Sequence, residues 1–310
     1  MTTDSNKQAI LLESGTNELE IVEFAIADAL YAINIAKVRE IIKADIDLVS
    51  VPDAHNSIEG AINLRGKIIP VINLAKHLNE ELKFEKKINR IIIAEFNKLT
   101  VGFLVSSVAK IHRLSWRQVE QPSDMLQTEG GYAVGIIKIN EKVLFLLDFE
   151  KITANINPNA GIVAPKIARF EPAEIGIDRS TKVVLVAEDS EFTRGMIIDY
   201  LTEAGYKILV AHNGEEAWSH IEAAINSSSF ARISDYINLV ITDIEMPQVD
   251  GLHLIKRIKD EKKSRSLPCI AFSSMITPEL TFKCKQVGAD GEIAKPDIGI
   301  LIDLVDSKVS

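Results

Sequence analysis

The chain has 310 residues, enough for about two domains with separate cores. Hydrophobic residues at 46% and charged residues at 25% are ordinary for a globular protein, and the formal net charge of −9 argues against nucleic-acid binding, which calls for a basic face. No apolar run approaches the roughly 18 residues a bilayer span needs, no basic-then-apolar signal opens the chain, and Cys269 and Cys284 lack CxxC or metal spacing. The expectation is a cytoplasmic protein with reduced thiols and no membrane insertion.

Residues 1–18 are polar apart from Ile10, Leu11 and Leu12 and predict a flexible lead-in. Strand-like patterning starts at Leu19, Ile21, Phe24 and Ile26 and resumes at Tyr31, Ile33 and Ile35. Val38, Ile41 and Ile42 have helical spacing and predict a short helix, and Pro52 to Ser57 reads as a loop. Gly60 to Leu74 is a hairpin whose two β-rich runs flank a tight basic tip, Arg65-Gly66-Lys67.

The hairpin recurs at an offset of 75 residues: Gly60 falls on Gly135, Ile62 on Ile137, Lys67 on Lys142, Ile68 on Val143, Ile72 on Leu147 and Leu74 on Phe149. Upstream, Tyr31-Ala-Ile-Asn-Ile with Val38 and Ile41 echoes Val101-Gly-Phe-Leu-Val with Val108 and Ile111. Two related all-β units follow, most simply two small barrels sharing a core. His55, His77 and His112 have no ligand spacing, and Ser106-Ser107 lacks the glycines of a nucleophile elbow. This half is built to bind and not to transform.

Tyr31-Ala-Ile-Asn-Ile-Ala-Lys-Val-Arg-Glu-Ile, Val51-Pro52, Gly60-Ala-Ile-Asn-Leu-Arg-Gly and Ile69-Pro-Val-Ile-Asn-Leu74 resemble the CheW coupling domain of bacterial chemotaxis over residues 19–152. The resemblance implies a fold of two small β-barrels that connects chemoreceptors to the CheA histidine kinase. Arg65 matches the family's hairpin-tip arginine, which implies a place in a partner interface. Asn73 stands where the family usually has Asp.

Asn155, Pro158, Gly161, Pro165, Pro172 and Gly176 then interrupt any regular pattern, so residues 153–180 predict a linker, with a short helix near Ile167 to Phe170. Beyond it, apolar runs end in polar residues: Lys182 to Ala187 at Glu188-Asp189, Tyr206 to Val210 near His212, Leu239 to Thr242 at Asp243, Pro268 to Phe272 at Ser273, and Gly291 to Ala294 at Lys295. Helical patterns cover 191–204, 215–225, 252–261, 278–287 and 298–308. The alternation predicts a doubly wound α/β sheet over 181–310 with Glu188, Asp189, Asp243, Ser273 and Lys295 gathered at its carboxyl edge.

Three carboxylates there repel one another, and Mg²⁺, which takes oxygen ligands, relieves this. Asp243 is placed to accept a phosphoryl group, while Lys295 supplies positive charge and Ser273 a hydroxyl. The acidic pair 188–189, Asp-x-x-Met-Pro at 243–247, Ser273 and Lys295-Pro296 resemble the response-regulator receiver family, of flavodoxin-like fold. The resemblance implies Mg²⁺ held by Glu188, Asp189, Asp243 and the main-chain carbonyl of Glu245, an aspartyl phosphate on Asp243, and a cis Lys295-Pro296 bond.

Three features depart from the receiver pattern. Glu292 occupies the usual aromatic-switch position, Glu245 adds an acidic side chain beside the phosphoryl site, and residues 226–235 lengthen a surface connection. A coupling domain followed by a receiver resembles the CheV family. That implies a phosphorylation-regulated chemotaxis adaptor at chemoreceptor arrays, phosphorylated by a phosphohistidine on the kinase, with no dedicated enzyme domain. A phosphate sink is the alternative. A haloacid-dehalogenase phosphatase would need Asp-x-Asp, whereas Ile244-Glu245 follow Asp243. A DNA-binding regulator is not expected, since little chain follows the last predicted helix.

Overall fold

A computed structural model describes residues 17–80, 88–123, 130–157, 177–227 and 232–309. The chain divides into two compact units, Leu19–Val163 and a second made of Met1–Glu18 with Ala164–Ser310.

The first unit is built from strands β1 (Glu18–Ile26), β2 (Ala29–Asn34), β3 (Val38–Lys43), β4 (Ile58–Leu64), β5 (Lys67–Asn73), β6 (Arg90–Phe96), β7 (Leu99–Val105), β8 (Ser107–Ser115), β9 (Val119–Glu120), β10 (Ala133–Ile139) and β11 (Lys142–Leu147). Helix α1 (Leu74–His77) follows β5, and α2 (Phe149–Ile156) follows β11. Asn73 caps α1 by accepting from Lys76 N–H at 3.1 Å, and Asp148, 75 residues on, caps α2 by accepting from Lys151 N–H at 2.9 Å. The repeat therefore extends to the helix caps.

The helix expected at Val38 to Ile42 is a strand. A 3-10 turn at Ile35–Lys37, capped by Asn34, leads into β3, which pairs antiparallel with β6. Burial alternates residue by residue along β3, so the isoleucines 41 and 42 lie on opposite faces. Over so short a window their spacing fits either period, and pairing with β6 decides it.

The two repeats interlock. One sheet runs β8-β1-β2-β11-β10-β9 and the other β3-β6-β7-β5-β4. Each therefore joins the opening hairpin of one repeat to later strands of the other, through the parallel contacts β11–β2 and β5–β7. Each sheet has its own small core, around Leu19, Trp116 and Leu146 in one and Ile62, Ile91 and Leu104 in the other. A third core is shared: Phe24, Phe103 and Phe149 meet edge to face, with centroids 4.5 Å apart for Phe103–Phe149 and 6.1 Å for Phe24–Phe149. Phe149 and Ile152 anchor α2 in that core, so the first positions of the predicted linker, through Ile156, are helical.

In the second unit β12 (Val183–Ala187), β13 (Lys207–Ala211), β14 (Leu239–Asp243), β15 (Cys269–Ser273) and β16 (Gly291–Ala294) form one parallel sheet in the order β13-β12-β14-β15-β16. This is the expected doubly wound, flavodoxin-like 2-1-3-4-5 order. Helices α3 (Glu191–Glu203), α4 (Gly214–Asn226), α5 (Gly251–Asp260), α6 (Pro278–Val287) and α7 (Leu301–Val309) connect or follow the strands. Both β14 and β15 are buried along their whole length, as central parallel strands covered on two faces must be.

One detail differs from the sequence reading: the last helix begins at Leu301 because Lys295–Ile300 form a 3-10 segment. The expected cis Lys295-Pro296 bond falls on Pro296, which lies outside the fully described residues. Residues 1–16 of the predicted lead-in, the helix expected near 167–170 and residues 228–231 of the insertion lie outside the described residues.

Candidate functional site

Parallel strands that end together deliver their next residues to one crevice. Glu188 and Asp189 follow β12, Asp243 ends β14, Ser273 ends β15 and Lys295 follows β16. All except Asp189 are buried, and Glu188 is fully so. Ligand oxygens of Glu188, Asp189 and Asp243 lie within 4.8 Å of one another. Lys295 Nζ stands 3.0 Å from Asp243 Oδ2 and 3.2 Å from Glu188 Oε2. Lys295 thus bridges the two buried carboxylates, with Asp189 beside them at the mouth of the crevice. The cluster's donors are all oxygen, which fits a hard divalent cation.

The loops around the cluster are fixed by their own hydrogen bonds. Asp243 Oδ1 accepts from Ile244 N–H at 2.7 Å, and Gly251 N–H returns to Ile244 C=O at 3.0 Å. A side chain at Gly251 would place its Cβ 2.0 Å from the Asp243 carbonyl oxygen, so only glycine fits there. Arg194, which the sequence reading missed, donates to the carbonyls of Glu188 at 2.9 Å and Asp189 at 3.1 Å. Its position in the first turns of α3 was the available signal.

Ser273 Oγ donates to Met275 C=O at 3.1 Å and accepts from Met275 N–H at 3.3 Å, so the hydroxyl is turned onto its own loop. Glu245 is half-buried in the loop after Asp243. Glu292 accepts from Thr281 Oγ1 of α6 at 2.8 Å. Burial, and then this carboxylate, push the Cys284 thiol up to about 12. The aromatic-switch position is thus a polar tie between β16 and α6.

Asp250 caps α5 by accepting from His253 N–H at 2.7 Å, and burial raises its carboxyl to about 6.

In the first unit Arg65 is at the tip between β4 and β5, its side chain 79% exposed and paired with Glu40 at 3.0 Å. Its φ is +52°, and Asn140, at the matching place in the second hairpin, has φ +55°. Asn tolerates this conformation far better than Arg does. Asn73 Nδ2 donates to Glu59 Oε2 at 2.9 Å, which an aspartate there could not do. The histidines are structural: His112 Nε2 lies 2.6 Å from the buried Glu23, and His77 packs on Tyr132 at 4.7 Å. Ser57 N–H donates to His55 Nδ1 at 3.2 Å.

The CheW-like domain family matches residues 20–157, and the response regulator receiver domain family matches residues 184–306. The chain is 30% identical over 297 residues to chemotaxis protein CheV3 of Helicobacter pylori, covering 91% of each chain. The chain belongs to the CheV family. CheV1 of the same organism is 27% identical over 90% of this chain and 89% of that one. Chemotaxis protein CheW of Thermotoga maritima is 32% identical over 49% of this chain and 98% of its own. The two-part architecture of the CheV family thus accounts for both units, and neither matched family is a dedicated enzyme domain.

Proposed function

We propose that the protein is a phosphorylation-regulated chemotaxis adaptor. Its first unit couples chemoreceptors to a CheA-type histidine kinase, with the exposed Arg65 in the interface, at membrane-bound receptor arrays reached from the cytoplasm. Its second unit accepts a phosphoryl group on Asp243, and this modulates the coupling.

The observation that carries the reading is the buried Asp243 carboxylate, 3.0 Å from Lys295 and grouped with Glu188 and Asp189. A carboxylate oxygen of Asp243 attacks phosphorus, the P–N bond of the kinase phosphohistidine breaks, and imidazole leaves with the electron pair. Lys295 balances charge on the phosphoryl oxygens. Ser273 gives up its bond to Met275 and donates its hydroxyl to the phosphoryl group. Glu188, Asp189, Asp243 and the Glu245 carbonyl would hold Mg²⁺, whose chemistry is to neutralise charge on the transferring oxygens. The added phosphate charge biases the loops around Asp243 between two arrangements.

The test uses the full chain, labelled by phosphorylated kinase or a small phosphodonor with Mg²⁺. Asp243→Asn is expected to abolish labelling while binding to kinase and receptor persists. Continued labelling of that variant would overturn the assignment.

A further inference from the structure

The second unit is discontinuous in sequence: it takes in residues that precede β1. Asn17 is the reason visible among the described residues. It is 3% exposed, with φ +60°. Its Nδ2 donates to Gln248 C=O at 2.7 Å, and its Oδ1 accepts from Asp250 N–H at 2.8 Å. One amide thus clasps the backbone on both sides of Val249, as a neighbouring strand would. The clasped segment is unusual in itself, since Gln248 has φ +67° and Asp250 is buried. Residues in that conformation persist only where the surroundings hold them.

The same loop begins at the phosphoacceptor. Asp243 Oδ1 binds Ile244 N–H, Ile244 C=O binds Gly251 N–H, and Glu245 lies between them. We infer that Asn17 is a positioning residue for this loop: a segment more than 220 residues away in sequence completes the frame that holds the Glu245 carbonyl beside Asp243. Removing the amide leaves the Asp250 N–H without its acceptor in a buried position, which loosens the loop. A receiver cut at residue 181 lacks this part of its own site. The inference deepens the proposed function, since it rests on the loop's role in metal binding.

The experiment compares the full-length protein with Asn17→Gly, which keeps the left-handed backbone and removes only the amide. Hydrogen exchange is read by mass spectrometry on peptides covering 244–251, and Mg²⁺ alone is titrated by calorimetry. Expected are exchange in that loop faster by roughly tenfold and Mg²⁺ affinity weaker by a similar factor, with exchange in β12 and β15 unchanged. Asn17→Asp, which retains the acceptor for Asp250 N–H, should recover protection at that end of the loop. Unchanged loop exchange overturns the inference. Faster exchange with unaltered Mg²⁺ affinity overturns it as well, by reducing the clasp to a local structural tie. Neither measurement involves phosphorylation, so the inference and the labelling test on Asp243 can fail separately.

Discussion

In the Leu19–Val163 unit ion pairs such as Arg65–Glu40 and Arg113–Glu20 lie toward solvent, with arginine side chains 79% and 60% exposed. In the other unit Lys295, Glu188 and Asp243 are at most 5% exposed. The first unit also buries a carboxylate, Glu23, but balances it with His112 and Lys142, and together these hold its carboxyl below the usual range against its desolvation. The contrast is between charge that is solvated or matched by two cations, and two buried carboxylates gathered on one lysine. Solvated charge adds little to stability and is free to recognise a partner. Buried carboxylates are costly without a counter-charge, and a bound cation would supply one.

The hardest blow to this comparison would come from Lys295→Met. If the cluster is held in check by one lysine, the variant should lose about 3 kcal/mol of stability in EDTA, as expected when a buried charge loses its partner. Mg²⁺ should restore much of the loss and bind more tightly than to the wild type, because three carboxylates then share one cation. Urea unfolding followed by Trp218 in a Trp116→Phe background, with and without Mg²⁺, measures both. An unchanged midpoint in EDTA would mean that the carboxylates carry their charge without Lys295.

What the sequence disclosed follows the same division. The receiver fold and its five polar strand ends were legible because each strand is a continuous apolar run ending in one polar residue, and parallel strands put those ends together. The interlocking of the coupling repeats was not legible, because the offset of 75 shows likeness and not pairing. β11 adds to β2 and β5 to β7 through contacts that leave no local mark. β3 was misread because Ile41-Ile42 suits two periods. Arg194 and Asn17 escaped notice because each acts through backbone carbonyls and amides, which any sequence has.

A middle-sized effect concerns Asp250, a buried cap whose carboxyl is raised from 3.8 to about 6 by desolvation. A raised acid binds its proton more tightly folded than unfolded. Its contribution to stability is fully present below pH 3.8 and is lost as pH climbs through about 6. Asp250→Asn keeps the cap oxygen for His253 N–H and removes the charge. It should be more stable than wild type at pH 7 by about 2 kcal/mol, with the advantage shrinking toward pH 4. Denaturation at several pH values checks this. A variant less stable at neutral pH would show that the carboxylate is better compensated than its burial indicates, and would blur the line drawn between the two units.

The smallest expected effect is at Arg65, where the turn conformation suits Asn, as Asn140 in the second hairpin shows. Arg65→Asn relieves the left-handed strain, worth about 1 kcal/mol, and gives up an exposed pair with Glu40 worth about 0–1 kcal/mol. Net stability should rise by about 0–1 kcal/mol. If the side chain is kept for a partner, the same variant should bind kinase or receptor at least tenfold more weakly while Asp243 is labelled as in the wild type. Melting curves and a binding titration on one preparation separate the two roles. A loss of stability above about 1 kcal/mol with binding intact would make Arg65 a turn residue and leave the interface to be sought elsewhere on the coupling unit.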